Sequence, residues 1–297
     1  HRCYARVGNV MSNFTDFISS GGAATFPTFF LYTSQTWVPP QDGNICIHVV
    51  GAGGSGSWSA DDQRNQARGG GGGGYCKKNS LAVTTAGSFT VVVGAGGASG
   101  GGTNGVTNGN VSYGNGISGG ASTVAGTGLG STLTANGGGF GNRLGTSSTG
   151  GTASGGDVNN TGGTAAAWCG GGGVNLNGTG AYNATSNSTR FAKAGEASIQ
   201  GDFKESAGGI LYGGQAGNLQ YLAGQYVNRM SNFSNHNGGP LAGGASLHAP
   251  RQSSGTGLMW GGHGGLGGGG GACTSYYDTD AAGGRGGDGV VVIQYLS

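Results

Sequence analysis

Charge is nearly absent from this sequence: 8% of its 297 residues are Asp, Glu, Lys or Arg, and the formal net charge is +2. The basic residues are scattered singly apart from Lys77-Lys78. They form no electrostatic footprint for a nucleic acid, which is therefore not expected as a partner. Proline is also rare, with 5 residues against 75 glycines, and no strict Gly-X-Y period runs through the chain, which excludes a collagen triple helix. No run approaches the roughly 20 apolar residues that a membrane-spanning helix requires, so no membrane insertion is expected. The sequence starts on His1, not Met, and no secretory signal is expected. We expect a trimmed or processed chain, or a fragment of a longer one.

Cysteine is sparse and dispersed. Cys3, Cys46, Cys76, Cys169 and Cys273 include no C-x-x-C pair, and His48, His236, His248 and His263 are spread as widely. A zinc site needs clustered thiolates or imidazoles, so no metal is expected. The cysteines are read as small buried apolar residues, and an odd count argues against a fully paired disulfide scaffold.

What the chain does have is glycine, in runs that adjoin aliphatic strands. A composition so rich in glycine ordinarily signals low complexity, but several segments read clearly as β. They are 29–32, 34–38 (closed by Pro39-Pro40 and a turn at 41–43), 44–50, 75–83, 88–93 and 289–296. Residues 1–26 differ, with Phe14, Phe17 and Ile18 in a short amphipathic stretch that could form a helix, and read as a linker or attachment segment. From about 94 to 289 glycine runs alternate with loops of Asn, Thr and Ser, and only 193–199 and 219–230 offer brief helix candidates.

A glycine run has no side chain to bury and loses more backbone entropy on folding than any other sequence. Its physical advantage is close backbone approach. Extended glycine segments of polyproline-II type make no internal hydrogen bonds, so their amides and carbonyls must pair with neighbours. Many such segments side by side can satisfy one another, with Cα–H···O contacts added. The expected fold is therefore mainly β and irregular: a small β-sandwich formed by both chain ends, enclosing a glycine-rich, polyglycine-II-like helix bundle. Strands are expected within 27–97 and 289–297, with the glycine core and its loops in 98–288.

Two motifs invite an enzymatic reading and fail on context. Residues 51–56 (GAGGSG) match G-x-G-x-x-G after a strand, but a dinucleotide site needs a helix next. A polar loop and six consecutive glycines, 69–74, follow instead. Residues 283–290 fit one calcium-binding nonapeptide, yet such sites require stacked copies. Seven N-x-[ST] sequons, at Asn13, Asn110, Asn159, Asn177, Asn183, Asn187 and Asn232, follow from the abundance of Asn, Ser and Thr. No G-x-S-x-G elbow is present, and the one adjacent carboxylate pair, Asp61-Asp62, lies in a polar loop. Neither catalysis nor a cofactor is expected.

Aromatic residues between the glycine runs are the more telling class. Tyr and Trp give large contact area at low entropy cost, and Ser, Gly and Asn supply adaptable hydrogen bonds, which is paratope composition. Such residues, on loops carried by a rigid scaffold, are candidates for recognition. The candidate binding residues are Trp58, Arg64, Trp168, Tyr182, Phe191, Tyr221, Tyr276 and Tyr277. Any one of them can instead pack beneath its own loop, since Trp and Tyr are usually largely buried.

The order WVPP, NICIHVVGAGGSG, a glycine run into Tyr75, SFTVVVGAGG, glycine-rich spacers and a closing GGRGGDGVVVIQYLS resembles the glycine-rich domain of phage tail-fibre proteins, over about 34–297. It is similar also to distal tail-fibre tip adhesins, whose glycine segments pack as a polyglycine-II lattice with receptor-binding loops at its end. The resemblance implies a virion location and recognition of a bacterial outer-surface protein or glycan, with other tail-fibre subunits as partners. Two alternatives are a structural fibre or filament subunit and, less well matched by the irregular spacing of Thr103, Thr107, Thr123, Thr127 and Thr132, an ice-binding protein. Cyclic symmetry, and a homotrimer with it, is compatible with adhesin and structural subunit alike.

Overall fold

The computed structural model describes residues 26–59, 67–100, 113–142, 148–165, 171–176, 237–238, 241–244, 247–248, 259–274 and 281–296. They contain strands and extended segments and no helix. In chain order the strands are β1 (Thr28–Leu31), β2 (Gln35–Trp37), β3 (Gly43–Val50), β4 (Trp58–Ser59), β5 (Tyr75–Val83), β6 (Phe89–Val92), β7 (Tyr113–Gly114) and β8 (Ser122–Gly126). There follow β9 (Leu133–Ala135), β10 (Ala153–Ser154), β11 (Val158–Asn160), β12 (Leu247–His248), β13 (Met259–Trp260), β14 (Cys273–Thr274), β15 (Ala281–Ala282) and β16 (Val290–Leu296). The helix candidates at 14–18, 193–199 and 219–230 lie outside the described residues.

Two five-stranded antiparallel sheets, ordered β1-β16-β3-β5-β11 and β10-β9-β8-β6-β2, face each other. Alternate residues of both meet between them: Ile45, Ile47, Val49, Val291 and Ile293 from the first sheet, Trp37, Phe89, Val91, Val124 and Leu133 from the second. Fully burying one such side chain stabilises the fold by about 1.5–3 kcal/mol. The chain ends do build this sandwich, through β1–β3 and β16. Four of its strands, β8 to β11, come instead from the stretch expected to hold only glycine segments and loops.

A bulge in β5 sets which side chains reach this core. Ile45 pairs with Leu81 but Ile47 with Lys78, so Asn79 and Ser80 together oppose Cys46. The extra residue reverses the in-out alternation along β5. Leu81 and Val83, at odd positions, and Cys76, at an even one, therefore enter the same core. Asp157 secures the bulge, its carboxylate accepting from Asn79 N–H and Lys78 Nζ at 2.8 Å each. The Lys78 bond and the Asn79 amide hold the Asp157 carboxyl below the usual carboxylate range. The turn leading into β11 places Gly155 at φ 87°, where a side chain would be strained.

β3 and β16 are buried on both faces, which explains why NICIHVV and VVVIQYL read as continuous apolar runs. Outside the first sheet, Val50, Tyr75, Val290 and Val292 pack with Val174 and Leu241, and Phe30, Leu176 and Leu266 border them. Leu241 is fully buried in the left-handed region at φ 64°, a conformation costly for a branched side chain. Beneath the same sheet face, His48 Nδ1 and Tyr75 Oη are 2.7 Å apart, and Cys46 Sγ lies 3.3 Å from His48 Nε2. All three are buried, so this polar cluster is enclosed in the fold.

Candidate functional site

Where β3 and β5 leave the sandwich, they become glycine segments, and backbone hydrogen bonding follows a period of three. In segment 51–57, the N–H groups of Gly51, Gly54 and Ser57 donate to Gly74, Gly71 and Arg68. Those of Ala52 and Ser55 donate to Gly120 and Ile117, and those of Gly53 and Gly56 to Gly287 and Gly284. Each set advances by three residues while its partner retreats by three. The carbonyls show the same phase: Ala52 and Ser55 accept from Gly138 and Gly141, Gly54 and Ser57 from Gly270 and Cys273, and Gly53 from Gly97. Segment 51–57 is thus hydrogen-bonded to six neighbours, 68–74, 94–100, 115–121, 136–142, 267–273 and 283–289.

The neighbouring segment 68–74 repeats the pattern. Gly70 and Gly73 donate to Gly270 and Gly267, Gly71 and Gly74 to Gly139 and Asn136, and Gly72 to Gly163. Such proximity leaves no room for Cβ. A methyl added at Gly53 would lie 1.9 Å from the Gly268 carbonyl oxygen, and one at Gly73 1.9 Å from that of Gly51. Two side chains inside replace a backbone partner: Ser55 Oγ accepts from Ile117 N–H at 2.7 Å, and Ser57 Oγ from Arg68 N–H at 2.7 Å.

All these segments run away from the sandwich to a common far end. There β12, β14, β4 and β7 form a small sheet, and β13 pairs with β15. In sequence, residues 60–66 follow β4, 101–112 precede β7, 249–258 separate β12 from β13 and 275–280 separate β14 from β15, while 143–147 and 166–170 separate array segments. All of them lie outside the described residues.

Among the sequence-predicted binding residues, Trp58 is the described one. It sits in β4, between Cys273 of β14 and Gly114 of β7, and is 7% exposed. Its indole is packed so closely that a methyl on Gly114 would lie 2.6 Å from Nε1. Arg64, Trp168, Tyr276 and Tyr277 lie outside the described residues, in stretches whose anchor points are at the far end. Tyr182, Phe191 and Tyr221 also lie outside them, in 177–236, which begins beside Leu176 at the sandwich end. The structure therefore separates the anchor points of the candidates into two groups.

On one rim of the array, ionisable side chains complete the hydrogen bonding. His263 Nδ1 accepts from Arg285 N–H at 2.9 Å, and Asp288 Oδ1 accepts from Gly96 N–H and from the Arg285 guanidinium at 2.7 Å each. Burial, and then the Arg285 cation, push the His263 pKa down. Cys46, Cys76 and Cys273 are buried thiols outside any disulfide, as expected of small apolar residues, and burial pushes the Cys273 thiol up to about 12. Cys3 and Cys169 lie outside the described residues.

The threefold phase had a signal in the sequence that composition concealed. Non-glycine residues recur every third position within segments: Ala52 and Ser55, Ala95 and Ala98, Ser118 and Ala121, Arg285 and Asp288. Among known proteins, no curated sequence matches the chain. The family model described as a glycine-rich domain matches residues 30–296, nearly the whole length. The chain belongs to this glycine-rich domain family.

Proposed function

We propose that the protein is an adhesin of the kind carried on phage tail fibres, in which a polyglycine-II-like bundle holds receptor-binding loops at one end. The observation that carries this reading is that β4, β7, β12 and β14, the described ends from which several connections leave, are paired with one another in one small sheet. The threefold donor phase supports the bundle reading, since three residues per turn is the repeat of polyproline-II geometry. A scaffold pinned by backbone bonds in several directions holds its loop bases still, which lowers the entropy lost on binding. Aromatic and Asn-rich connections on such a base suit a bacterial outer-surface protein or glycan. The role is binding, on a virion, and no catalytic step is assigned.

Binding of the purified chain to whole bacterial cells tests this, with Trp168→Ala and Tyr276→Ala as probes. Each substitution is expected to weaken binding while the melting temperature stays unchanged, and an aromatic anchor contributes about 2 kcal/mol or more when truncated. Unchanged binding in both variants, with fibre assembly lost, would favour the structural-subunit reading instead.

A further inference from the structure

One face of the first sheet gathers reactive groups that neither the sandwich core nor the glycine array uses. On β3, Cys46, His48 and Val50 alternate to one side, and on β16 Val290, Val292 and Gln294 do the same. Val50, Val290 and Val292 pack in the cluster outside the sandwich, which fixes the side. In the antiparallel ladder Cys46 stands directly opposite Gln294. Side chains so placed have Cβ atoms about 4.5–5.5 Å apart. The Cys46 sulfur and the Gln294 carboxamide carbon, a bond or two beyond those atoms, are therefore within reach of each other. Both residues are buried, at 4% and 7% exposed.

We propose that Cys46 and Gln294 condense to an internal thioester joining β3 to β16. Cys46 Sγ lies 3.3 Å from His48 Nε2, and His48 Nδ1 lies 2.7 Å from Tyr75 Oη. With Nδ1–H donating to Tyr75 Oη, Nε2 carries the lone pair that faces the thiol. His48 takes the thiol proton as Sγ attacks the carboxamide carbon of Gln294. It then returns that proton to the departing nitrogen. The C–N bond breaks, the C–S bond remains, and one ammonia leaves. No oxidant or reductant enters, and ammonia is protonated and diluted into bulk at neutral pH, which draws the exchange forward.

The sheet supplies what this exchange needs. Ladder register holds nucleophile and carboxamide together, so no encounter has to be arranged. Burial keeps water from hydrolysing the product. Cys76, on the other face of the same sheet, instead donates to the Ser154 carbonyl at 3.2 Å, and a carbonyl cannot take up a thiol proton as an imidazole can. Once formed, the thioester is an acyl group held for a primary amine, whose attack would leave a substituted amide at Gln294 and return the Cys46 thiol. The site belongs to the sandwich and does not depend on what the loops recognise.

Intact mass spectrometry of the full chain, purified in amine-free buffer, is expected to give a mass one ammonia below that of the sequence. Under denaturing conditions iodoacetamide is expected to spare Cys46, and proteolysis at mildly acidic pH to release a peptide with Cys46 joined to one with Gln294. Hydroxylamine is expected to restore the thiol and leave a hydroxamate at Gln294. Cys46→Ser is expected to abolish the loss of ammonia, and His48→Gln to slow it about a hundredfold after refolding. A wild-type mass equal to that of the sequence, or a Cys46 thiol that alkylates fully, would overturn the proposal without any variant. So would a loss of ammonia that survives Cys46→Ser, as a succinimide at one of the Asn-Gly pairs would give, or one that His48→Gln leaves equally fast.

Discussion

Between the two sheets, Ile45, Phe89 and Leu133 fill space with side chains and are fully buried. A few residues further along the same strands, Gly53 and Gly73 are enclosed just as completely, but carbonyl oxygens occupy the place their side chains would take. Both regions exclude water. One does so through apolar area, the other through hydrogen bonds between closely packed backbone segments. A sandwich core weakens when atoms are removed and tolerates some rearrangement. An array of this kind has no side chain that can move aside, so it weakens when atoms are added. The two regions thus respond to volume changes of opposite sign.

The largest expected effect breaks the array side of this comparison. A methyl at Gly53 or Gly73 collides with backbone oxygen at 1.9 Å, and the oxygen belongs to a segment hydrogen-bonded on other sides. We expect Gly53→Ala or Gly73→Ala to cost about 3 kcal/mol or more, above the usual range for overpacking. The double variant is expected to show no cooperative thermal transition by circular dichroism. A double variant melting like the wild type would remove the distinction between the regions.

On the sandwich side, Leu133→Ala removes atoms from a fully buried position between the sheets. The expected cost is about 3 kcal/mol, the ordinary sum of lost transfer energy and cavity, measured by urea unfolding with an unchanged m-value. The reverse experiment sharpens the contrast. Ala98→Gly, at an exposed array position, is expected to stay within about 0.5 kcal/mol of the wild type.

How much of this was legible in the sequence follows from the same division. β3, β5, β6 and β16 were visible because branched apolar residues crowd into them and glycine bounds them abruptly. β9 and β10, of three and two residues, were not. β9 gives the core only Leu133 and Ala135, too little for a period of two to stand out against Thr and Asn. The bulge at Asn79-Ser80 was equally hidden, since it reverses alternation inside a run that already reads as strand. For the candidate site, composition marked aromatic loops but could not tell at which end each begins. Leu176 packs beside the sandwich while Trp58 lies at the far end, and only tertiary pairing makes that difference.

A smaller effect tests whether side chains inside the array act as backbone surrogates. Ser55 Oγ accepts from Ile117 N–H at 2.7 Å, in a position where segment 115–121 finds no carbonyl. Ser55→Gly keeps the close approach and removes the acceptor. The expected cost is about 0.5–1.5 kcal/mol, the net contribution of one hydrogen bond. Ser55→Ala is expected to match it, because the Cβ is already accommodated. A clearly lower cost for Gly than for Ala would show that packing, not the hydrogen bond, decides here.

The smallest effect concerns the rim, where the array borrows a titratable group. His263 Nδ1 can accept from Arg285 N–H only while that nitrogen is unprotonated. Burial and the nearby Arg285 cation both disfavour the imidazolium, so the folded pKa lies below the ordinary 6.5. The unfolded chain then binds the proton first as pH falls, and by linkage stability declines from about pH 6.5 toward the folded pKa. Below the folded value both states are protonated and the decline stops. His263 is only half-buried, so the loss should remain below about 1 kcal/mol once solvent screening is allowed for. Thermal melts of the wild type and His263→Ala between pH 7.5 and 5 measure it as the difference in slope. A wild-type melting temperature that follows the variant across this window would mean that Arg285 N–H finds water as readily as imidazole, and that this rim needs no side chain to be complete.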